Sequence, residues 1–359
     1  MPCLTPEPKS KSFLVLFSKK EQTSSMPPRL ILHFDIADRQ HELRDSVAPD
    51  DFVLMRRETP LPFPENALAY CADMQAERVL YSLHGDSLPA LFEASFMYGA
   101  QLTGAAGIVA VPFERMTELE PPGCVPRPTL IFSPGRTGST LLVRLLRACG
   151  AACASEPDML AQVCRFVRED RRRIGLEMEV ALLRACLVSL GQALGSAPFI
   201  KLRSQCNARP LPLLAAAPGA RAVFMLRGRH AWANSRHRAF AEPPASIAAV
   251  LREAIDALDK LTGAGVPFQV VWFETLRRDP LRVLVNDLGL AGADQPVILA
   301  AMAQDAQAGT PIARDRLAGL AVDDGFAAAF DVAWAEARQG AAWSDATLGY
   351  LEAMERPLE

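Results

Sequence analysis

The chain has no basic surplus, no paired cysteines and no long apolar run, and each absence closes a class of function. Lys and Arg number 38 against 41 Asp and Glu, a formal net charge of −3, so no bulk positive field is available to attract nucleic acid. The eight cysteines never fall as Cys-x-x-Cys and their spacings suit no zinc site. They are expected to behave as small buried hydrophobes in a reducing cytoplasm. The best apolar run, Ala105–Val111, is far short of the roughly 20 residues needed to cross a bilayer. What remains, half hydrophobic and 22% charged over 359 residues, is the composition of a soluble globular protein of one large or two modest domains.

Four regions follow from the patterning. Residues 1–27, rich in Pro, Ser and Lys, read as a disordered tail. Residues 28–125 form an extension of unknown role, with strands expected at Leu30–Asp35 and Ile108–Phe113 and helices at Asn66–Ala76 and Leu88–Leu102. Pro121, Pro122, Pro126 and Pro128 mark a linker. Across 126–290 strands alternate with helices. Strands are expected at 129–133, 198–202, 221–226 and 267–273, and helices at 139–149, 177–194, 230–240, 245–262 and 279–289. That alternation predicts an α/β fold with a parallel sheet covered by helices on both faces. The region 291–359 is Ala-rich and expected to be helical.

Chemistry concentrates first in Thr129–Leu142, TLIFSPGRTGSTLL. A β-branched and aromatic strand runs through a Pro-Gly turn into Arg136-Thr137-Gly138-Ser139-Thr140 and then a helix. Backbone N–H groups of such a loop, with a helix N-terminus behind them, form an anion site. Gly138 admits close backbone approach, Ser139 and Thr140 donate hydroxyls, and Arg136 adds a forked cation. A Walker A loop would carry Lys after the glycine, where this chain has Ser139, which disfavours hydrolysis of ATP or GTP. The second segment is Leu226–Arg238. Arg227 ends a strand, at the sheet edge where α/β proteins bind ligands, and Ser235 follows eight residues later on a helix. Arg229, Arg236 and Arg238 read as a solvated basic helix.

Together these segments resemble the PAPS-dependent sulfotransferases (PAPS is 3'-phosphoadenosine 5'-phosphosulfate). Trp272-Phe273-Glu274-Thr275-Leu276 with Asp279-Pro280, and Ser155-Glu156-Pro157, resemble further segments of that family. The resemblance covers roughly residues 128–290. It departs from the family at Gly228-Arg229, where Asp-Pro is common, and at Lys201-Leu202-Arg203, where cytosolic members carry Lys-Thr-His.

The resemblance implies a three-layer, P-loop-NTPase-like sheet and a cytoplasmic enzyme with PAPS as co-substrate and no metal. Arg136, Thr137, Gly138, Ser139 and Thr140 would cradle the 5'-phosphosulfate, and Arg227 and Ser235 would hold the 3'-phosphate. Arg136 and Lys201 would stabilise charge in transfer. The base is Glu156 by this reading, since none of the five histidines falls at the family's position. Its alternative is a helix N-cap neighbour or an ion pair with Arg165 or Arg203. Glu274 reads as a structural residue at a helix start. Gln307, Arg314 and Arg316 are candidates for a segment over the 3'-phosphate, with a solvated loop as the alternative. The acceptor is expected to be a small molecule or carbohydrate, with no nucleic acid partner and no membrane span; oligomeric state stays open. Two other functions also stay open: a small-molecule P-loop kinase, and a nucleotide-binding module that has lost catalysis.

Overall fold

The computed structural model describes residues 30–40, 42, 44–57, 66–119, 126–168, 174–291, 293–305, 312–317 and 325–356. The expected tail at 1–27, Pro121, Pro122 and Gln307 lie outside them.

The chain is mixed α/β and builds two five-stranded sheets. The first comprises β1 (Leu32–Arg39), β2 (Phe52–Arg56), β3 (Ala67–Asp73), β4 (Arg78–Leu83) and β5 (Gly107–Pro112), in the order β2-β1-β5-β4-β3 and antiparallel throughout. Helices α1 (Leu88–Glu93) and α2 (Met97–Gly104) fall between β4 and β5. The expected helix over Asn66–Ala76 is therefore strand β3, and the expected helix over Leu88–Leu102 is two helices broken at Ala94–Phe96. The β3 sequence ALAYCAD has good helix formers, yet all seven residues are buried. Its small side chains let helices pack closely on the strand, so tertiary burial overrides local propensity.

The second sheet comprises β6 (Thr129–Phe132), β7 (Cys153–Ser155), β8 (Phe199–Lys201), β9 (Arg221–Leu226) and β10 (Phe268–Trp272), in the order β10-β9-β6-β8-β7 and wholly parallel. Its helices are α3 (Ser139–Ala148), α4 (Asp158–Arg168), α5 (Leu176–Leu194), α6 (Pro210–Ala216), α7 (Arg229–Phe240), α8 (Pro244–Gly263), α9 (Phe273–Arg278) and α10 (Pro280–Arg282). The expected helix over 279–289 is instead α10 and a wide π-type turn at Val283–Asp287. Asp279 accepts from Arg282 N at 3.0 Å and starts that turn afresh. The chain ends in α11 (Gln295–Ala303), α12 (Arg314–Leu317), α13 (Phe326–Ala337) and α14 (Asp345–Glu355).

Alternate residues of the parallel strands face opposite helix layers. Ile131, Val223, Met225 and Val271 pack with Leu142, Leu145 and Leu146 of α3 and Ile298 of α11. Leu130, Phe132, Ile200 and Phe224 face the other way, into a core with α4, α5, α6 and α8. That core also takes in Val79, Tyr81, Val109 and Val111 of the antiparallel sheet, so α4 and α5 serve both sheets at once. In the parallel sheet, the chain fills the β8 and β7 side of β6 first and then crosses to β9 and β10. The loop after β6 thus stands at the carboxyl edge where strand order reverses, the usual ligand position in open α/β sheets.

Candidate functional site

The loop after β6 is held by its carbonyls. Asn207 Nδ2 donates to Ser133 O at 2.9 Å, and Arg236 Nη1 donates to Pro134 O at 3.2 Å. Trp232 Nε1 donates to Gly135 O at 2.7 Å, and Arg227 Nη1 donates to Arg136 O at 3.3 Å. Four consecutive carbonyls are engaged by side chains from elsewhere in the chain. In a trans peptide the N–H points away from the preceding carbonyl, so the Arg136 and Thr137 N–H groups face the opposite side. They join the N–H groups at the start of α3, whose N-cap is Gly138 with φ 81. Phe273 lies against Gly138, and a Cβ there would collide with its ring. Glycine is required on both counts.

Trp232, Ser235 and Arg236 occupy one face of α7, spaced i, i+3 and i+4, and all three meet this loop. Arg136 Nε donates to Ser235 Oγ at 3.3 Å. Arg236 is not solvated as its sequence context suggests. It is 9% exposed and forms a forked pair with Glu242, Nε to Oε2 at 2.6 Å and Nη2 to Oε1 at 2.7 Å. Arg229 likewise pairs with Asp331 at 2.9 Å.

Two cavities meet at the loop. The first, about 480 Å³, is lined by Arg136, Gly138, Ser139, Thr140, Arg227 and Ser235, with Arg238, Arg277 and Phe273 completing its basic wall. Arg227 stacks on Phe273 at 4.6 Å from the ring centroid, and its Nε is buried with no hydrogen-bond partner among the described residues. Burial pushes the Arg136 and Arg227 guanidinium groups below their ordinary values. Repulsion from Arg236 acts in the same direction on Arg136, and repulsion from Arg136, Arg238 and Arg277 does so on Arg227. Asp305 and Glu274 oppose this only in part. Crowded, desolvated cations with an unmet donor are what an anionic ligand would relieve.

The second cavity, about 550 Å³, shares Arg136, Ser139 and Thr140 and is also lined by Glu156 and Lys201. Both volumes are in the range of small-molecule sites. Lys201 Nζ donates to Thr140 Oγ1 at 2.8 Å and pairs with Glu156 Oε1 at 2.7 Å. Arg203 Nε stands 4.0 Å from Glu156 Oε2. Glu156 follows β7 with φ 58, a left-handed conformation rare outside glycine, and its N–H donates to Lys201 O at 2.8 Å. The antiparallel unit supplies the far wall through Arg44, Asp45, Phe96 and Tyr98. Its segments are tied down by the parallel unit. Arg203 and Arg165 donate to Asp45 O at 2.9 and 3.4 Å, Asp158 accepts from Val47 N at 2.7 Å, and Ser155 Oγ donates to Ser95 O at 2.6 Å.

Of the residues expected from sequence, the structure gathers Arg136, Gly138, Ser139, Thr140, Glu156, Lys201, Arg227 and Ser235 around these two cavities. Thr137 differs: its side chain is fully buried and lines neither cavity, so of its polar groups only the backbone N–H is left for the role expected of it. Glu156 pairs with Lys201 more closely than with Arg203. Glu274 Oε1 accepts from Gly228 N at 3.0 Å, so the helix start it supports is that of α7. Among the described histidines none lines either cavity; His230 meets Asp331 and His237 meets the Glu242 carbonyl. Arg316 is exposed. Sequence reasoning missed Asn207, Trp232 and Phe273. A lone tryptophan amid the basic residues of α7 was the available signal for Trp232; Asn207 has none. Among the described residues no group of three His, Cys, Asp or Glu is placed to hold a metal ion, and no helix is long and apolar enough to cross a membrane.

No protein-family model matches the chain, and no curated protein matches its sequence. Solved structures similar to it include two sulfotransferases. One is the sulfotransferase domain of the Synechococcus PCC 7002 olefin synthase, at 15% identity and a TM-score of 0.38, covering 67% of this chain and 98% of that one. The other is the sulfotransferase STF9 of Mycobacterium avium, at 15% identity and a TM-score of 0.36, covering 64% and 80%. Likeness this distant carries no weight for activity, which rests on the site's own geometry.

Proposed function

We propose that the chain is a PAPS-dependent sulfotransferase with a P-loop-NTPase-like parallel domain. The observation that carries this is the junction of two cavities at Arg136. On one side the loop N–H groups, Arg227 and Ser235 form a basic site for a ligand with two separated phosphates. On the other the Lys201–Glu156 pair faces a space for an acceptor.

The residues support an in-line exchange, in which positioning and electrostatics dominate as in phosphoryl transfer. An acceptor hydroxyl oxygen forms a bond to sulfur while the bond from sulfur to the 5'-phosphate oxygen breaks. Glu156 takes the hydroxyl proton. Adenosine 3',5'-bisphosphate leaves, its developing negative charge met by Arg136, Lys201 and the N–H groups of the loop. Thr140 links the two halves, since its hydroxyl accepts from Lys201.

Titration calorimetry with adenosine 3',5'-bisphosphate tests the donor site. Binding is expected, with a loss of at least tenfold in the Arg227→Ala, Ser235→Ala double variant. Absence of binding would sink the proposal, and magnesium-dependent turnover of ATP would replace it with a kinase.

A further inference from the structure

Resting on that reading, we propose that the antiparallel unit is the acceptor-selecting wall, and that it selects an uncharged hydroxyl compound by stacking a flat face on Phe96. The argument begins with the charges around the second cavity. Lys201 is paired with Glu156, Arg203 with Asp158, Arg236 with Glu242 and Arg44 with Asp50. Beyond these, Arg165 and Asp45 add one charge of each sign. Counting Asp50, which does not line the cavity, the charges balance apart from Arg136 at the transfer loop, so away from Arg136, Arg165 and Asp45 a charged acceptor would have to break an existing pair.

Aromatic faces are the other recognition surface. The chain is only 7% aromatic, yet Phe96, Tyr98 and Phe240 line this one cavity. Phe240 is 47% exposed although it stacks under Arg236, with the guanidinium 5.3 Å from its centroid. Phe96 stands beside the chemistry, with Lys201 Nζ over one face of its ring at 5.1 Å from the centroid. An acceptor that presents a hydroxyl to the Lys201–Glu156 pair would therefore pass beside the Phe96 ring. Aromatic contact of this kind favours offset or edge packing of another ring and supplies orientation without charge. Phe96 belongs to the turn between α1 and α2, and that turn is fixed to the parallel unit through Ser95 O, so the ring is presented by a tethered segment.

The test uses the full chain, with and without saturating adenosine 3',5'-bisphosphate, titrated with 2-naphthol, 6-hydroxy-2-naphthoate and methyl glucoside. Naphthol is expected to bind both forms and to bind at least tenfold more tightly than the other two. Phe96→Ala should weaken naphthol binding at least tenfold, Phe96→Tyr should restore it, and the affinity for bisphosphate should be the same in all three proteins. Naphthol binding that is absent, or is indifferent to Phe96→Ala, overturns the assignment, as does preference for the carboxylate or the sugar. Failure of bisphosphate to bind while naphthol still does would sink the sulfotransferase reading and leave the aromatic wall standing.

Discussion

Two of the four described non-glycine residues with positive φ are Arg136 (φ 57) and Glu156 (φ 58). Each costs on the order of 1 kcal/mol in backbone strain, and strain of this sort persists where surrounding structure over-determines it. Here the engaged loop carbonyls and the Glu156 N–H bond to Lys201 O supply that determination. If Glu156 is the proton acceptor, Glu156→Gln should lower kcat by about 100-fold or more while bisphosphate affinity changes less than twofold. Equal loss of both would assign Glu156 to holding Lys201 instead. A different residue governs acid sensitivity. His84 is 1% exposed, and both ring nitrogens meet hydroxyls, Nε2 with Ser82 at 2.9 Å and Nδ1 with Ser87 at 3.5 Å. Burial pushes it down to about 4. The unfolded chain, with histidine near its ordinary 6.5, therefore binds the proton first as pH falls. The stability from neutral His84 is full above pH 6.5 and is lost between 6.5 and 4, by about 3 kcal/mol at the limit. Denaturant unfolding from pH 7 to 4 should show this slope, and His84→Gln should flatten it.

At the scale of elements, the strand, loop and helix from Thr129 to Ala148 were legible because all their signals are local: a β-branched run, a Pro-Gly turn and an apolar stripe of period 3.6. The stretch Asn66–Ala76 was not legible, because its strand is specified by distant partners. As an edge strand β3 has backbone groups to satisfy. Ser189 Oγ of α5 accepts from Ala69 N at 3.1 Å, and Gln162 of α4 accepts from Ala72 N at 2.8 Å. Nothing within ALAYCAD announces these. The candidate site divides the same way. Arg136–Thr140, Arg227, Lys201 and Glu156 lie at strand ends or helix starts, Ser235 lies within α7 eight residues after Arg227, and all could be found by spacing. Asn207, Trp232 and Arg236 act on carbonyls 74 to 102 residues away in sequence. The α7 clamp makes its own prediction. Trp232→Phe keeps an aromatic ring, though a smaller one, and removes the donor to Gly135 O, leaving that carbonyl unmet at a cost of about 1–3 kcal/mol. Bisphosphate affinity should fall by about tenfold, with a smaller effect on Tm in ligand-free protein. A fall in Tm with unchanged affinity would make Trp232 a core residue and nothing more.

Over the whole molecule, the two sheets are joined twice, once by the apolar core around α4 and α5 and once by polar ties at the cavity. Asp158 centres the second junction. It is 1% exposed and accepts from Ser46 Oγ at 3.1 Å, from Val47 N at 2.7 Å and from Arg203. Burial works against the Arg203 charge, but Asp158 and Glu156 more than offset it and hold the guanidinium above its ordinary value. Asp158→Asn keeps the size of the side chain and removes that charge, so Arg203 is left beside Glu156 at 4.0 Å without its closer partner. Breaking a buried pair costs about 3–5 kcal/mol, since the remaining charge stays desolvated. The shared core makes a single unfolding transition the expected result even in the variant, at a Tm several degrees lower. Because Arg203 also holds Asp45 O, the same change loosens the Arg44–Val47 wall and should raise KM for the acceptor more than it weakens bisphosphate binding. Two separate transitions would instead mean that the polar tie, and not the core around α4 and α5, couples the sheets.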